Sequence, residues 1–114
     1  MRIAGGFAGL ALGLLPACAQ AACPLTGSQS FARLADLPAG AAAALGFRIA
    51  ERGTRFEATD NLGPEPRLPS ARFVAARRTG CTLALRYEQG GIALTQQTAL
   101  LERSGNRWVV LRRR

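Results

Sequence analysis

Residues 81–91, CTLALRYEQGG, read in steps of two. Cys81, Leu83, Leu85 and Tyr87 fall on one side, and Thr82, Ala84, Arg86 and Glu88 on the other. Side chains alternate across a strand, so this is the pattern of a strand with one buried face. Gln89-Gly90-Gly91 interrupts the run with a turn signal. The same punctuation recurs on both sides. Upstream, Arg72–Arg78 is a strand candidate that stops at Thr79-Gly80. Downstream, Ile92–Glu102 carries Ile92, Leu94, Gln96, Thr98 and Leu100 on one side, and Ser104-Gly105-Asn106 forms the next turn. Arg107–Leu111 closes the series, with Trp108 and Val110 opposite Val109 and Leu111. Turn signals at roughly 8–12-residue spacing, with no helical run between them, predict an antiparallel meander.

The segment before it reads differently. After the loop-like PLTGSQS at 24–30, Phe31, Leu34 and Ala35 follow helical spacing, with Ser28 or Ser30 as a cap. Pro38 breaks or restarts the helix, and Gly46 stands where a terminating glycine is expected after Ala39–Leu45. The prediction is therefore helix over 29–45, in two pieces bent at Leu37-Pro38. Phe47 and Ile49 then alternate, Arg52-Gly53 turns the chain, and 54–59 resumes an extended pattern. The proline-rich stretch DNLGPEPRLPS at 60–70 is a semi-rigid loop. A sheet with one apolar face needs a cover. The expected class is accordingly α+β, an N-terminal helical segment packed on an antiparallel meander of about four to six strands.

The front of the chain sets the compartment. Met1-Arg2 is a short positive start, residues 3–15 are apolar and uncharged, and Ala19-Gln20-Ala21 has the A-x-A form of an export cleavage site. The apolar run would rise only about 20 Å as a helix, short of a ~30 Å hydrocarbon core. Residues 1–21 are expected to be a signal peptide cut between Ala21 and Ala22, leaving 22–114 as a single small domain without a transmembrane span. The alternative is a lipoprotein signal, in which Leu15-Pro16-Ala17-Cys18 serves as a lipobox and Cys18 carries lipid; Pro16 departs from that pattern. Either cut leaves Cys23 and Cys81 as an even pair in an oxidising compartment. Only one pairing exists, so a Cys23–Cys81 disulfide is predicted, worth about 4 kcal/mol by loop-closure entropy.

Composition narrows the chemistry. All 15 basic residues are arginine, they face 7 acids for a net charge of +8, and histidine is absent. Imidazole catalysis and imidazole metal sites are thus excluded. The carboxylates form no recognisable catalytic pair, the hydroxyls lack a base partner, and no metal-ligand cluster or phosphate loop is present. No metal and no cofactor is implied. Tyr87 and Glu88, at a strand end beside the Gly90-Gly91 turn, are the best local candidates for lining a cleft; the plainer expectation packs Tyr87 in the core and pairs Glu88 with an arginine across the sheet. Arg72, Arg77, Arg78 and Arg107 belong to the arginine-rich back half and are candidate anion contacts on a solvent-facing sheet surface. After export the available polyanions are envelope components. The expected partner is therefore an envelope protein or anionic lipid, and nucleic acid is disfavoured because the few aromatics are needed for the core.

The stretches LPAGAAAALGFRIAERGTRFEATD and LPSARFVAARRTGCTLALRYEQGGIA cover most of residues 37–93. Together they resemble a group of small exported bacterial proteins without assigned activity. The resemblance treats IAERGTRFEATD as a hairpin and implies no activity, cofactor or site. The functional expectation is an exported, periplasmic or secreted, non-enzymatic accessory or binding protein with a basic sheet face. The alternative is a small enzyme or enzyme inhibitor using a helix–sheet cleft near Tyr87 and Glu88.

Overall fold

The computed structural model describes residues 23–59, 63–64 and 67–114. The signal segment, the Ala21–Ala22 cut and Cys18 lie outside the described residues. The chain forms one antiparallel sheet of β1 (Ser28–Phe31), β2 (Ala71–Thr79), β3 (Thr82–Gln89), β4 (Thr95–Ser104) and β5 (Arg107–Arg113), in spatial order β1-β2-β3-β4-β5. Every neighbouring pair is antiparallel.

The expected α+β class is overturned. Among the described residues there is no α-helix; the stretch read as helix holds a strand and two 3-10 turns, Leu34–Asp36 and Ala43–Leu45. The physical reasons are local and tertiary. Helix nucleation is costly and short helices are marginal in water. Here Pro38 interrupts the run, and Gly40 and Gly46 adopt φ of 85° and 83°, which end a turn rather than extend it. Phe31, whose spacing suggested a helix face, instead sits opposite Ala76 at the sheet edge and is buried. The expected hairpin over 49–60 also fails. Residues 47–59 run as irregular chain, touching the sheet at isolated parallel bridges Ala50–Arg72 and Thr59–Gly91.

One sheet face is covered. Phe73, Leu83, Leu85, Tyr87, Ala99, Leu101 and Trp108 share a buried cluster with Phe31, Ala41 and Leu45 from the folded-over front segment. The alternation of β3 sends Leu83, Leu85 and Tyr87 into this core. A bulge between Phe73 and Ala75 lets β2 keep both Phe73 and Ala76 on that side. The front segment is pinned at several points. Cys23 and Cys81 form a disulfide across 58 residues, with Cα atoms 6.2 Å apart. The Gly80 amide donates to the Gly27 carbonyl at 2.7 Å, aligning β1 with the end of β2. Further along, the Arg113 guanidinium donates to the Leu45 carbonyl at 2.6 Å and lies 5.6 Å from the Phe47 ring centroid. Phe47 in turn packs at 5.5 Å against Tyr87.

Glu51 organises the first 3-10 turn from a distance. Its carboxylate accepts the Leu34 amide at 2.7 Å, the Ala35 amide at 3.1 Å and the Arg52 amide at 2.7 Å. The Leu34 and Ala35 N–H groups have no partner within the turn, so the carboxylate acts as a cap supplied by another part of the chain. Desolvation pushes its pKa up; donation by the Leu34, Arg52 and Ala35 amides, with Arg33 nearby, outweighs this and holds it below the usual carboxylate range.

Candidate functional site: an arginine-walled groove on the open sheet face

The second face of the sheet carries no buried cluster among the described residues, and the 52–56 segment reaches it at the Arg72–Glu88 end. Its positions follow from register. Arg77 lies opposite Ala84, which lies opposite Leu100; Ala75 lies opposite Arg86, which lies opposite Thr98. Small side chains at Ala75 and Ala84 leave a depression of 440 Å³, bounded by Ser30, Arg52, Arg77 and Arg86. Its lining contains no carboxylate. Arg77 is held in place, donating through Nη1 to Ser30 Oγ at 2.9 Å and through Nη2 to Ser28 Oγ at 3.1 Å. Hydroxyl partners fix the guanidinium without neutralising it, so its charge remains available to an anion. Among the described residues the Arg52 and Arg86 guanidinium groups have no hydrogen-bond or ion-pair partner. The groove therefore joins an apolar floor to three cations.

The four arginines singled out from sequence separate on this framework. Arg77 walls the groove. Arg72 is engaged: its Nε meets Glu88 Oε1 at 2.8 Å, its Nη1 donates to the Thr54 carbonyl at 3.0 Å, and its guanidinium stacks 4.3 Å over Phe56. It ties the irregular segment to the sheet. Arg78 donates to the Thr26 and Gly80 carbonyls at 3.3 and 2.8 Å, bracing the turn that leads to Cys81. Arg107 is exposed at the start of β5, opposite Ser104 and away from the groove. Sequence reasoning did not single out Arg52 and Arg86. Alternation placed Arg86 on the polar side of β3, and that was the available signal. Arg52 reaches the groove from an irregular segment, which periodicity does not position.

Tyr87 and Glu88 point to opposite faces. Tyr87 is 2% exposed within the covered core, where burial raises its pKa against an opposing effect of Arg113. Glu88 is on the open face, paired with Arg72 directly across the strands. They do not share a cleft. Glu88 borders a separate shallow depression of 310 Å³ with Arg52, Arg72 and Gln96.

The Gly90-Gly91 turn does adjoin a hollow, one of 330 Å³ formed with Phe47, Arg48, Glu57 and Arg67. Gly90 is required there: a Cβ would fall on the Glu57 carbonyl oxygen. Its amide donates to the Ser70 carbonyl at 2.7 Å, and Glu57 accepts the Leu68 amide through Oε2 at 3.3 Å. These are the contacts of a packed junction between loops. Among the described residues no group of three or more side chains could hold a metal ion, and no helix is long and apolar enough to cross a membrane. Comparison with protein-family models, curated proteins and solved structures finds no match to this chain.

Proposed function

We propose that this is an exported, non-enzymatic binding protein of the bacterial envelope, with the open sheet face as its contact surface for an anionic partner, lipid or protein. The observation behind this reading is the groove in which Arg52, Arg77 and Arg86 surround an alanine floor with no carboxylate in the lining. An anion placed there gains three cations, and an apolar group attached to it finds the Ala75–Ala84 surface. The Cys23–Cys81 bridge supports folding in an oxidising compartment. The export segment and its removal after Ala21, or lipidation at Cys18, belong to the same proposal.

The test is binding of the processed protein to phosphatidylglycerol vesicles and to envelope extract at low and high salt. Binding is expected at low salt, weakening as salt rises. Substituting both Arg77→Gln and Arg86→Gln should weaken it roughly tenfold or more, at about 1 kcal/mol per cation near an anionic surface. Equal binding by this double variant, or no binding to either preparation, refutes the reading. Intact mass of the exported product, with and without reductant, independently reports the cut, the lipid and the bridge.

A further inference from the structure

The turn between β3 and β4 carries a second unusual surface. Sequence alternation placed Ile92 and Leu94 within a strand, but β4 begins only at Thr95. Ile92 is 97% exposed and Leu94 53% exposed, and Ala93 between them is exposed too. Isolated exposed apolar residues are ordinary, whereas a run of three at a hairpin tip costs solubility unless it is used. Neither Ile92 nor Leu94 joins the buried cluster, and Ile92 stands almost wholly in solvent.

The hollow at its base holds two cations and one carboxylate. Gly91, at the base of the tip, shares the 330 Å³ hollow with Arg48 and Arg67. Arg48 Nη2 donates to the Arg67 carbonyl at 2.9 Å, which fixes one cation beside the loop that carries the other. Glu57 is the carboxylate in that lining, and its Oε2 is occupied by the Leu68 amide. Arg114 lies opposite Thr98, bonded to it through the backbone, toward the same end of the sheet. An apolar projection with two arginines at its base matches the layered chemistry of an anionic bilayer: acyl chains below, phosphate above.

We infer that the Ile92-Ala93-Leu94 tip is a membrane-insertion wedge that enters the acyl boundary of an anionic bilayer, with Arg48 and Arg67 at headgroup level. This inference stands apart from the sheet-face reading, because it uses a different end of the molecule and needs nothing bound in the groove. Two apolar side chains and a few cations give reversible rather than permanent attachment.

The experiment uses vesicles of mixed phosphatidylglycerol and phosphatidylcholine. Ile92→Asp should weaken binding about tenfold or more, as expected for losing one buried aliphatic side chain. Because Ile92 is almost fully exposed, its thermal midpoint should stay at that of the wild type, which separates lost insertion from lost folding. In a second variant, Ile92→Trp, the emission added to that of Trp108 should shift to the blue with the anionic vesicles and stay unmoved with pure phosphatidylcholine. Unchanged vesicle binding by Ile92→Asp, an unmoved emission spectrum of Ile92→Trp with the anionic vesicles, or absence of vesicle binding by the wild type each overturns the inference. So does a fall in oligomer size on Ile92→Asp without loss of vesicle binding, which would assign the tip to a second copy of the chain. Unchanged vesicle binding by the Arg77/Arg86 double variant with a retained blue shift in the tip variant would leave the wedge standing by itself.

Discussion

The parts of the molecule on either side of residues 60–70 are built by different means. Residues 71–113 form four strands joined in sequence, and each strand's neighbour is the next in the chain. Residues 23–59 form one short strand and two 3-10 turns, placed by contacts with distant residues. The disulfide spans 58 residues, Phe31 pairs with Ala76, and Ala50 bridges to Arg72. Local alternation specifies the strand-built half. The irregular half takes the shape of the sheet edge and apolar face offered to it. In a domain this small neither half buries enough surface alone, so the front segment is a needed cover despite its irregularity.

The largest expected effect separates the halves. Replacing both Cys23 and Cys81 by serine should cost about 4 kcal/mol. Amide exchange should show the loss unevenly, with Ser28–Phe31 losing protection first and the centre of β3 last. Uniform loss of protection would mean that the two halves unfold as one unit. The sheet-side counterpart is Leu85→Ala. Leu85 has no exposed surface, and its truncation should cost about 3 kcal/mol in a denaturant titration with the bridge intact. Here β1 should lose protection together with β3, because the front segment packs on the core that is lost. If β1 outlasts β3, the dependence runs the other way.

The same division explains what could be read beforehand. Leu83, Leu85 and Tyr87 lie on one side of β3 and Thr82, Ala84, Arg86 and Glu88 on the other, as a period of two requires. Glu88 also meets an arginine across the sheet. The cysteine pair was legible because only one connectivity remained after Cys18 was set aside. The front segment was not, because Phe31, Leu34 and Ala35 have helical spacing yet serve a strand and a 3-10 turn. Their fate is set by the edge of β2 and by Glu51, both distant in sequence, where local propensity is a weak guide. The start of β4 was misplaced for a related reason. Ile92 and Leu94 continue the alternation but have no core above them. For the groove, Arg77 was legible as a strand residue, Arg86 only as one of a polar set, and Arg52 not at all.

A smaller effect probes how the irregular half holds its shape. Glu51→Gln removes the carboxylate that accepts the Leu34, Ala35 and Arg52 amides. The loss should be about 1 kcal/mol at neutral pH, in the range of a helix cap. Its pH dependence has a definite sign. The folded carboxyl titrates below its unfolded value. Its stabilisation is therefore complete above the unfolded pKa, about 4.3 for glutamate, and disappears as pH falls through the lowered folded value. Thermal midpoints of wild type and variant should converge across that acid window and stay separated above it. A constant separation down to low pH would show that the amide contacts, and not the charge, carry the effect.

The smallest expected change in stability falls on the open face. Arg86→Gln alters an exposed side chain that has no partner among the described residues, so stability should move by no more than about 0.5 kcal/mol in either direction. A slight gain is the expected sign, because Arg86 shares the groove with Arg52 and Arg77 and adds like charge to it. Salt makes the point sharper. Screening should raise the wild-type midpoint more than that of the variant, since the wild type has more repulsion to screen. Arg72→Gln is the control on the same sheet face, because its guanidinium serves Glu88, Thr54 and Phe56. That substitution should destabilise. If Arg86→Gln destabilised as much as Arg72→Gln, then Arg86 would be part of the framework, and the groove would keep only one of its two uncommitted cations, Arg52, for the proposed anionic partner.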